Sequence, residues 1–316
     1  MKKFLSILFM LLLSLSLFAC NEEANSEDPG NVEVNKVSLI TPGGTPLLAV
    51  GGLLDNEAVE IESVSGPENL QAALASGSHD IVIAPVNLGA NLFNNGKSQY
   101  KIAAVITMNN AYIVTRADNA LESVNDLEGK SIMAFGKAGI PGSLLKKLYS
   151  SNEKLSLDLI GENWYGSSAE VYGLFKGETG PEYALMSEPE ISKLVLNDKI
   201  DVKTLDLCEL LNIEVAPQAC IYVNPNSKYQ EEIKNVLTLI EENIKSLNEN
   251  PEAYADKVLN AHKYFTSMGK EVIVRSIPLT SISYKVASSV KSDIENILTV
   301  LNASAKLPSD EFYYQK

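Results

Sequence analysis

The sequence predicts an α/β protein made of two lobes joined by a hinge. Three observations carry that expectation. From Lys36 onward, short apolar runs rich in β-formers alternate with stretches of helical periodicity, the pattern of parallel sheets covered by helices. The alternation runs through one unit, leaves it along a long apolar stretch, and starts again in a second unit. A sharp strand-to-helix joint rich in glycine and proline, LITPGGTPLLAV at Leu39 to Val50, returns in the second unit as IMAFGKAGIPGSLL at Ile132 to Leu145.

Taken in order, KVSLIT reads as a strand and TPLLAVGGLL as a helix. Thr45 is expected to cap that helix, and Pro46 suits its first position, where a missing N–H costs nothing. VEIESV is a second strand. SGPENLQAALASG is a helix with Ser65 and Glu68 at capping-box spacing, and DIVIAPV, from Asp80, is a buried strand. KIAAVITMNNAYIVTR, Lys101 to Arg116, supplies one or two strands that leave the first unit. The same order then repeats: SIMAFG as a strand, IPGSLLKKLYSS as a helix, LDLIGENWY as a strand, and SSAEVYGLFKG as a helix opened by Ser167 with Glu170. Tyr183 to Met186 form a short strand, after which Ser187 is expected to cap a helix with Glu190 three positions on. DVKTLDL and ACIYVN are further strands, the second returning the chain to the first unit. The rest is helical. Ile233, Val236, Leu237, Ile240 and Ile244 share one face, Asn250-Pro251 opens another helix, and a last one covers Ser283 to Leu301.

The expected organisation is a leader at 1–19, an acidic tether at 20–35, a first lobe from 36–112 and 221–316, and a second lobe from 113–220. In the leader, Lys2 and Lys3 precede an apolar run from Phe4 to Leu17, too short to span a bilayer comfortably and typical of an export signal. The run ends in Leu17-Phe18-Ala19-Cys20, which resembles the lipobox of bacterial lipoproteins, where the signal is cut before a cysteine that is then lipidated. Cys20 is the expected lipidation site and membrane anchor; the alternative is an ordinary signal peptide with a coincidental cysteine. The chain holds 40 acidic and 26 basic residues, a net charge of −14, which argues against a nucleic-acid partner. Loss of the leader removes two lysines and no acid, so the mature chain is more acidic still. Cys208 and Cys220 flank CELLNIEVAPQAC, and in an oxidising compartment they are expected to form a disulfide; the alternative is two buried thiols. No Cys/His cluster has ligand spacing, so neither a metal nor a cofactor is expected.

In open α/β sheets, ligands sit beyond the carboxyl ends of strands, where glycines let the backbone come close. The two glycine-proline joints, one per lobe, are therefore expected to face each other across a cleft. The lipobox, the PGGTP turn, QAALASGSHDIVIAPV, DLEGKSIMAFGKAGIPGSLL, ALMSEPEIS, PQACIYVN and the terminal LPSDEFYY together resemble a bacterial ABC-importer substrate-binding protein. The type is the nitrate/sulfonate/taurine one, which also includes thiamin-pyrimidine (NMT1/THI5-like) binders. The resemblance covers nearly all of the mature chain. It implies the type II periplasmic-binding fold: two α/β lobes with a two-strand hinge and an interlobe cleft that close on a solute and deliver it to an ABC permease. It also implies an extracytoplasmic monomer held to the membrane only by its lipid. By position, it implies a cleft lined by Gly43, Gly44 and Thr45, by Pro85 and Asn87, by Lys137, Gly139, Ile140 and Pro141, and by Glu188. Trp164 and Tyr165, in a strand-end loop of the second lobe, are expected to look into the cleft, with Trp164 either stacked on the ligand or packed on its own lobe. Arg116 and Arg275 are the only arginines, which is poor provision for gripping a sulfonate or nitrate. Helix N-termini and Lys137 on one side, and Glu188 on the other, call for a small organic solute with an acceptor-rich end and a donor end.

Two rival classes share this fold. A lipoprotein that senses a ligand for a membrane receptor would look the same in sequence. An enzyme similar to the cytosolic relatives that make the thiamin pyrimidine would need a reactive histidine and a cysteine-rich iron site. His79 lies in a polar turn and His262 in a helical stretch, there is no GxSxG, and Gly96-Lys97-Ser98 and Gly129-Lys130-Ser131 lack the upstream glycine of a phosphate loop. No catalytic residue is expected. The lipobox reading predicts that Cys20→Ser moves the protein from the membrane fraction to the medium or periplasm; unchanged retention on fractionation would sink it.

Overall fold

In the computed structural model, which describes residues 36–315, the first strands follow the alternation closely. The expected leader, Cys20 and the tether lie outside the described residues. β1 (Val37–Pro42) and β2 (Val59–Val64) pair in parallel along their full length, and β3 (Ile81–Pro85) lies parallel on the other side of β1. α1 (Thr45–Val50) runs on into a 3-10 turn at Gly51–Leu53, α2 (Pro67–Ser76) connects β2 to β3, and α3 (Val86–Asn94) leaves β3 without a loop. β4 (Lys101–Met108) ends this run. After Asn109–Ala111 the chain enters a second sheet with β5 (Tyr112–Arg116), β6 (Ile132–Phe135), α4 (Ile140–Ser150), β7 (Trp164–Tyr165) and α5 (Ser168–Lys176). β8 (Tyr183–Met186), α6 (Glu190–Leu196) and β9 (Val202–Asp206) complete it. A short α7 (Leu207–Leu210) leads back to β10 (Pro217–Val223). The C-terminal part holds α8 (Gln230–Glu249), α9 (Pro251–Val258), α10 (Lys263–Met268), α11 (Lys270–Ser276), β11 (Ile282–Val286) and α12 (Lys291–Leu301).

The strand orders explain why the joint recurs. The first sheet runs β11-β4-β10-β3-β1-β2 and the second β7-β6-β8-β5-β9. Each contains a parallel trio, β2-β1-β3 or β7-β6-β8, extended by an antiparallel strand, β10 or β5. β1 and β6 occupy the same central place in their trios, so the glycine-proline joints that follow them are equivalent positions. The antiparallel strand of each sheet follows directly on a crossing from the other sheet, which gives the two connections between them.

Helix faces and strand runs bury as their periodicities require. Ile233, Val236, Leu237, Ile240 and Ile244 of α8 are buried against one face of the first sheet with α9 to α11. Another core is shared by both sheets: α4 brings Ile140, Leu144, Leu145 and Leu148 against β10 and α12. α3 approaches β10 so closely that a Cβ added to Gly89 would stand 2.2 Å from the Tyr222 ring.

Several local expectations are corrected. Two capping boxes are absent: α2 starts from Gly66, at φ 83°, and α6 from Pro189, neither with a side-chain cap. The Ser187 N–H is already taken by Ser168 Oγ, and the Glu190 carboxylate accepts from the Tyr264 hydroxyl. Ser167 does cap α5, accepting from the Glu170 N–H, while Glu170 Oε2 accepts from Gly166. Thr45 is inside α1, behind a Gly44 cap, so its hydroxyl is free for other partners. In LDLIGENWY only Trp164–Tyr165 is strand, preceded by a 3-10 turn. The expected last helix begins as β11, whose β-forming ISYKV pairs antiparallel with β4; a 3-10 turn at Ala287–Val290 follows, and the α-helix starts at Lys291. Pro217 to Cys220, expected in the second lobe, lie in the first sheet, and Tyr112, expected in the first, pairs with Met186 and Asp206 in the second. Main-chain pairing, not the apolar pattern, sets those crossing points. Cys208 and Cys220 are not bridged but are two buried free thiols. Cys208 is fixed at the start of α7 by Asp206, and Cys220 sits in the middle of a strand paired on both sides, its sulfur against Tyr222.

The close approach at Gly89 predicts that Gly89→Ala lowers stability by about 1–3 kcal/mol through overpacking against a fully buried ring. Urea unfolding checks this; an unchanged midpoint would mean the Tyr222 ring can give way.

Candidate functional site

Between the two sheets lies a cavity of about 810 Å³, walled by the strand-to-helix joints of both. Gly43 and Gly44 come from the first joint. Gly44 holds φ 82° and ψ −147°, a conformation that only glycine adopts without strain. From the second joint come Gly139, Ile140 and Pro141. Ser65-Gly66 before α2, Pro85 at the end of β3, and Ser167-Ser168 at the start of α5 complete these walls. Much of the lining is apolar, with Val64, Leu70 and Phe135 among it.

One buried cluster ties the first joint across the lobes to the segment after β8. Asn110, in the crossing segment and 2% exposed, accepts from the Glu188 N–H at 2.8 Å and donates to the Glu188 carbonyl at 3.1 Å and to Thr45 Oγ1 at 2.8 Å. The Thr45 hydroxyl donates to the same Glu188 carbonyl at 2.8 Å.

Of the residues expected in the cleft, Gly43, Gly44, Thr45, Pro85, Gly139, Ile140 and Pro141 line the cavity, and five do not. Asn87 donates across the lobes to the Ala138 carbonyl at 2.8 Å. Lys137 contributes its carbonyl to Lys146 Nζ at 2.6 Å, and Lys146 in turn lies 5.1 Å over the Trp164 ring. Trp164 packs on the first turn of α4, where a Cβ on Gly142 would stand 2.9 Å from it, and Tyr165 packs on the core behind the second sheet. The Glu188 carboxylate turns away and accepts from the Ser192 N–H at 3.0 Å, with burial raising its pKa.

The structure places other groups in the cavity that sequence reading missed. Glu190, two residues after Glu188, lines it at 2% exposure and accepts from the Tyr264 hydroxyl at 3.1 Å. Burial pushes the Glu190 pKa up to about 7. Tyr264 is itself raised, by burial and by this carboxylate. His262 caps α10, accepting from the Tyr264 N–H at Nδ1, and burial beside Lys263 lowers its pKa. Gln218 also faces the cavity. The register of β10 against β4 slips between Pro217 and Ala219, and this bulge carries Gln218. Its Nε2 is buried without a partner. The signal for Gln218, a polar residue opening an apolar strand in PQACIYV, was present; nothing in spacing distinguished Glu190 from Glu188. Among the described residues no group of three or more His, Cys, Asp or Glu is placed to hold a metal ion.

Residues 55–156 match the family model described as NMT1/THI5 like. No curated protein matches the chain. Among solved structures it is similar to an ABC transporter from Parabacteroides distasonis, at 18% identity over 89% of this chain and 99% of that one, TM-score 0.68. It is similar to the ligand binding component of an ABC-type import system from Staphylococcus aureus with zinc bound, at 15% identity over 88% and 96%, TM-score 0.67. It is also similar to the periplasmic aliphatic sulphonate binding protein SsuA from Escherichia coli, at 17% identity over 89% and 92%, TM-score 0.66. The shared property is the fold, two α/β lobes of the periplasmic-binding type, and the family resemblance read from the sequence recurs in the match at 55–156.

The raised Glu190 pKa has a sign for stability. The folded state holds this proton more tightly than the unfolded chain, so the contribution is complete below the ordinary value of 4.5 and is lost as pH rises towards about 7. Between those values the wild type should lose up to about 3 kcal/mol relative to Glu190→Gln. Parallel denaturant titrations check it; identical pH profiles for the two proteins would overturn the shift.

Proposed function

We propose that this chain is an extracytoplasmic solute-binding lipoprotein that captures a small organic molecule between its lobes and delivers it to an ABC importer permease. The observation that carries the reading is the cavity: it is walled by equivalent joints from two sheets, and the chain crosses between those sheets only twice. A volume of about 810 Å³ lies within the range of small-molecule sites, and a largely apolar wall with few polar groups suits an organic solute. The relatives of similar fold, described as import components and a sulphonate binder, support the same role. Cys20, if lipidated, supplies the anchor, and residues 20–35 the reach from the membrane to the binding domain. No catalytic step is assigned: His79, which pairs with Ser78 Oγ at 2.8 Å and Glu62 at 3.2 Å, lies outside the cavity, and His262 in the cavity wall uses its Nδ1 to cap α10.

The domain purified under native conditions should carry, or take up on screening, one small organic molecule per chain by native mass spectrometry. Gly139→Trp should abolish that binding without unfolding the protein. Gly139 has an ordinary φ of −89°, and a Cβ there meets nothing closer than 3.5 Å, so a bulky side chain can enter the cavity. Full binding in Gly139→Trp would place the solute elsewhere, and no bound or stabilising solute at all would sink the reading.

A further inference from the structure

The chemistry left unpaired in the cavity wall selects a class of solute; this inference rests on the solute-binding reading and deepens it. Most polar side chains of the wall are already spent on the protein. Thr45 and Asn110 hold Glu188, Thr107 Oγ1 accepts from the Ala219 N–H, and Ser168 Oγ accepts from the Ser187 N–H. Glu190 is different. It is the one carboxylate of the lining, it is nearly fully buried, and among the described residues its only side-chain partner is Tyr264, with no salt bridge. Lys193, one turn along α6, lies 4.2 Å over the Tyr172 ring instead. Lys263, the only lysine of the lining, is exposed, and no arginine lines the cavity. A buried carboxylate with no ion-pair partner in contact, Lys193 favouring its charge only from beyond salt-bridge reach, is costly to ionise, and a cation brought by the ligand lowers that cost. Gln218 Nε2 is a buried donor without an acceptor. We propose that the solute is a small organic cation, a protonated amine or amidine seated on Glu190, carrying an acceptor that takes the Gln218 amide.

The groups facing Glu190 are Tyr264, His262 and Lys263 on α10, Tyr172 on α5, Lys193 and Glu188 on its own segment, and Arg275 of α11 beside Glu188. Burial, with Lys263 beside it, lowers the His262 pKa below its ordinary value, which disfavours its charged form between about pH 6 and 8. Over that interval Glu190 passes from mostly protonated to mostly ionised, so affinity for a permanently protonated cation rises roughly tenfold, whereas an anion that a protonated Glu190 could hydrogen-bond is progressively released.

The test is thermal unfolding of the mature chain against concentration series of benzylamine and benzamidine, compared with benzenesulfonate and ethanesulfonate, at both pH limits. The cations should stabilise the wild type, more strongly at the higher pH. Glu190→Gln should weaken them by about tenfold or more and remove the pH dependence. Tyr264→Phe, which keeps the carboxylate but loses the contact across the lobes, should retain cation binding; an equal loss there would make Glu190 a mere link between lobes and overturn the proposal. Stabilisation by the sulfonates that falls with pH, or by neither set, would also overturn it. Sulfonate binding that Gly139→Trp abolishes would remove the cation while leaving the solute-binding reading in place.

Discussion

The structure depends on one carboxamide. Asn110 sits where the chain first crosses between the sheets, and its two ends pair with both main-chain groups of Glu188 while also holding the Thr45 hydroxyl. Three segments distant in sequence are thereby fixed together: the start of α1, the crossing, and the end of β8. A side chain with a donor and an acceptor in one plane is needed to satisfy a peptide N–H and C=O at once. Buried as it is, the cluster tolerates no missing partner. Because Glu188 is held by its backbone, its carboxylate turns back to the Ser192 N–H and the next acid, Glu190, faces the cavity.

The sequence was legible where periodicity or composition carries direction. The two α/β units, most strands and the buried stripe of α8 followed from apolar spacing, and seven cleft positions followed from the two glycine-proline joints with the family resemblance. It was not legible where the outcome depends on which tertiary partner reaches a group first. Ser187 and Glu190 have the spacing of a capping box, but Ser168 and Tyr264 claim them. ISYKV could extend a helix or join an edge, and β4 had an edge to offer. Glu188 and Glu190 are equivalent by spacing; the Asn110 cluster fixes the Glu188 main chain, and Glu190 is the one that enters the cavity.

Two electrostatic scales meet at the cleft. The chain as a whole is strongly acidic, at −14. The cavity wall is nearly uncharged, with one carboxylate whose burial disfavours ionisation and one exposed lysine. The long-range field of such a molecule raises the local concentration of cations and slows anions, and salt screens it within about 10 Å. Selection inside the cavity is then left to short-range desolvation and hydrogen bonding, which salt scarcely touches.

The interleaving of the two sheets has a consequence for biogenesis. β10, the strand between β3 and β4, comes after every strand of the second sheet in sequence. A growing chain emerging from the ribosome therefore holds β3 and β4 with a vacant slot between them until residues beyond 217 appear, whereas the second sheet, from 112 to 206, is contiguous and can be completed first. The N-terminal half spends that interval with open strand edges, the state most open to chaperone capture or aggregation. The high sequence separation of the β10 contacts also places this protein among the slower folders of its size.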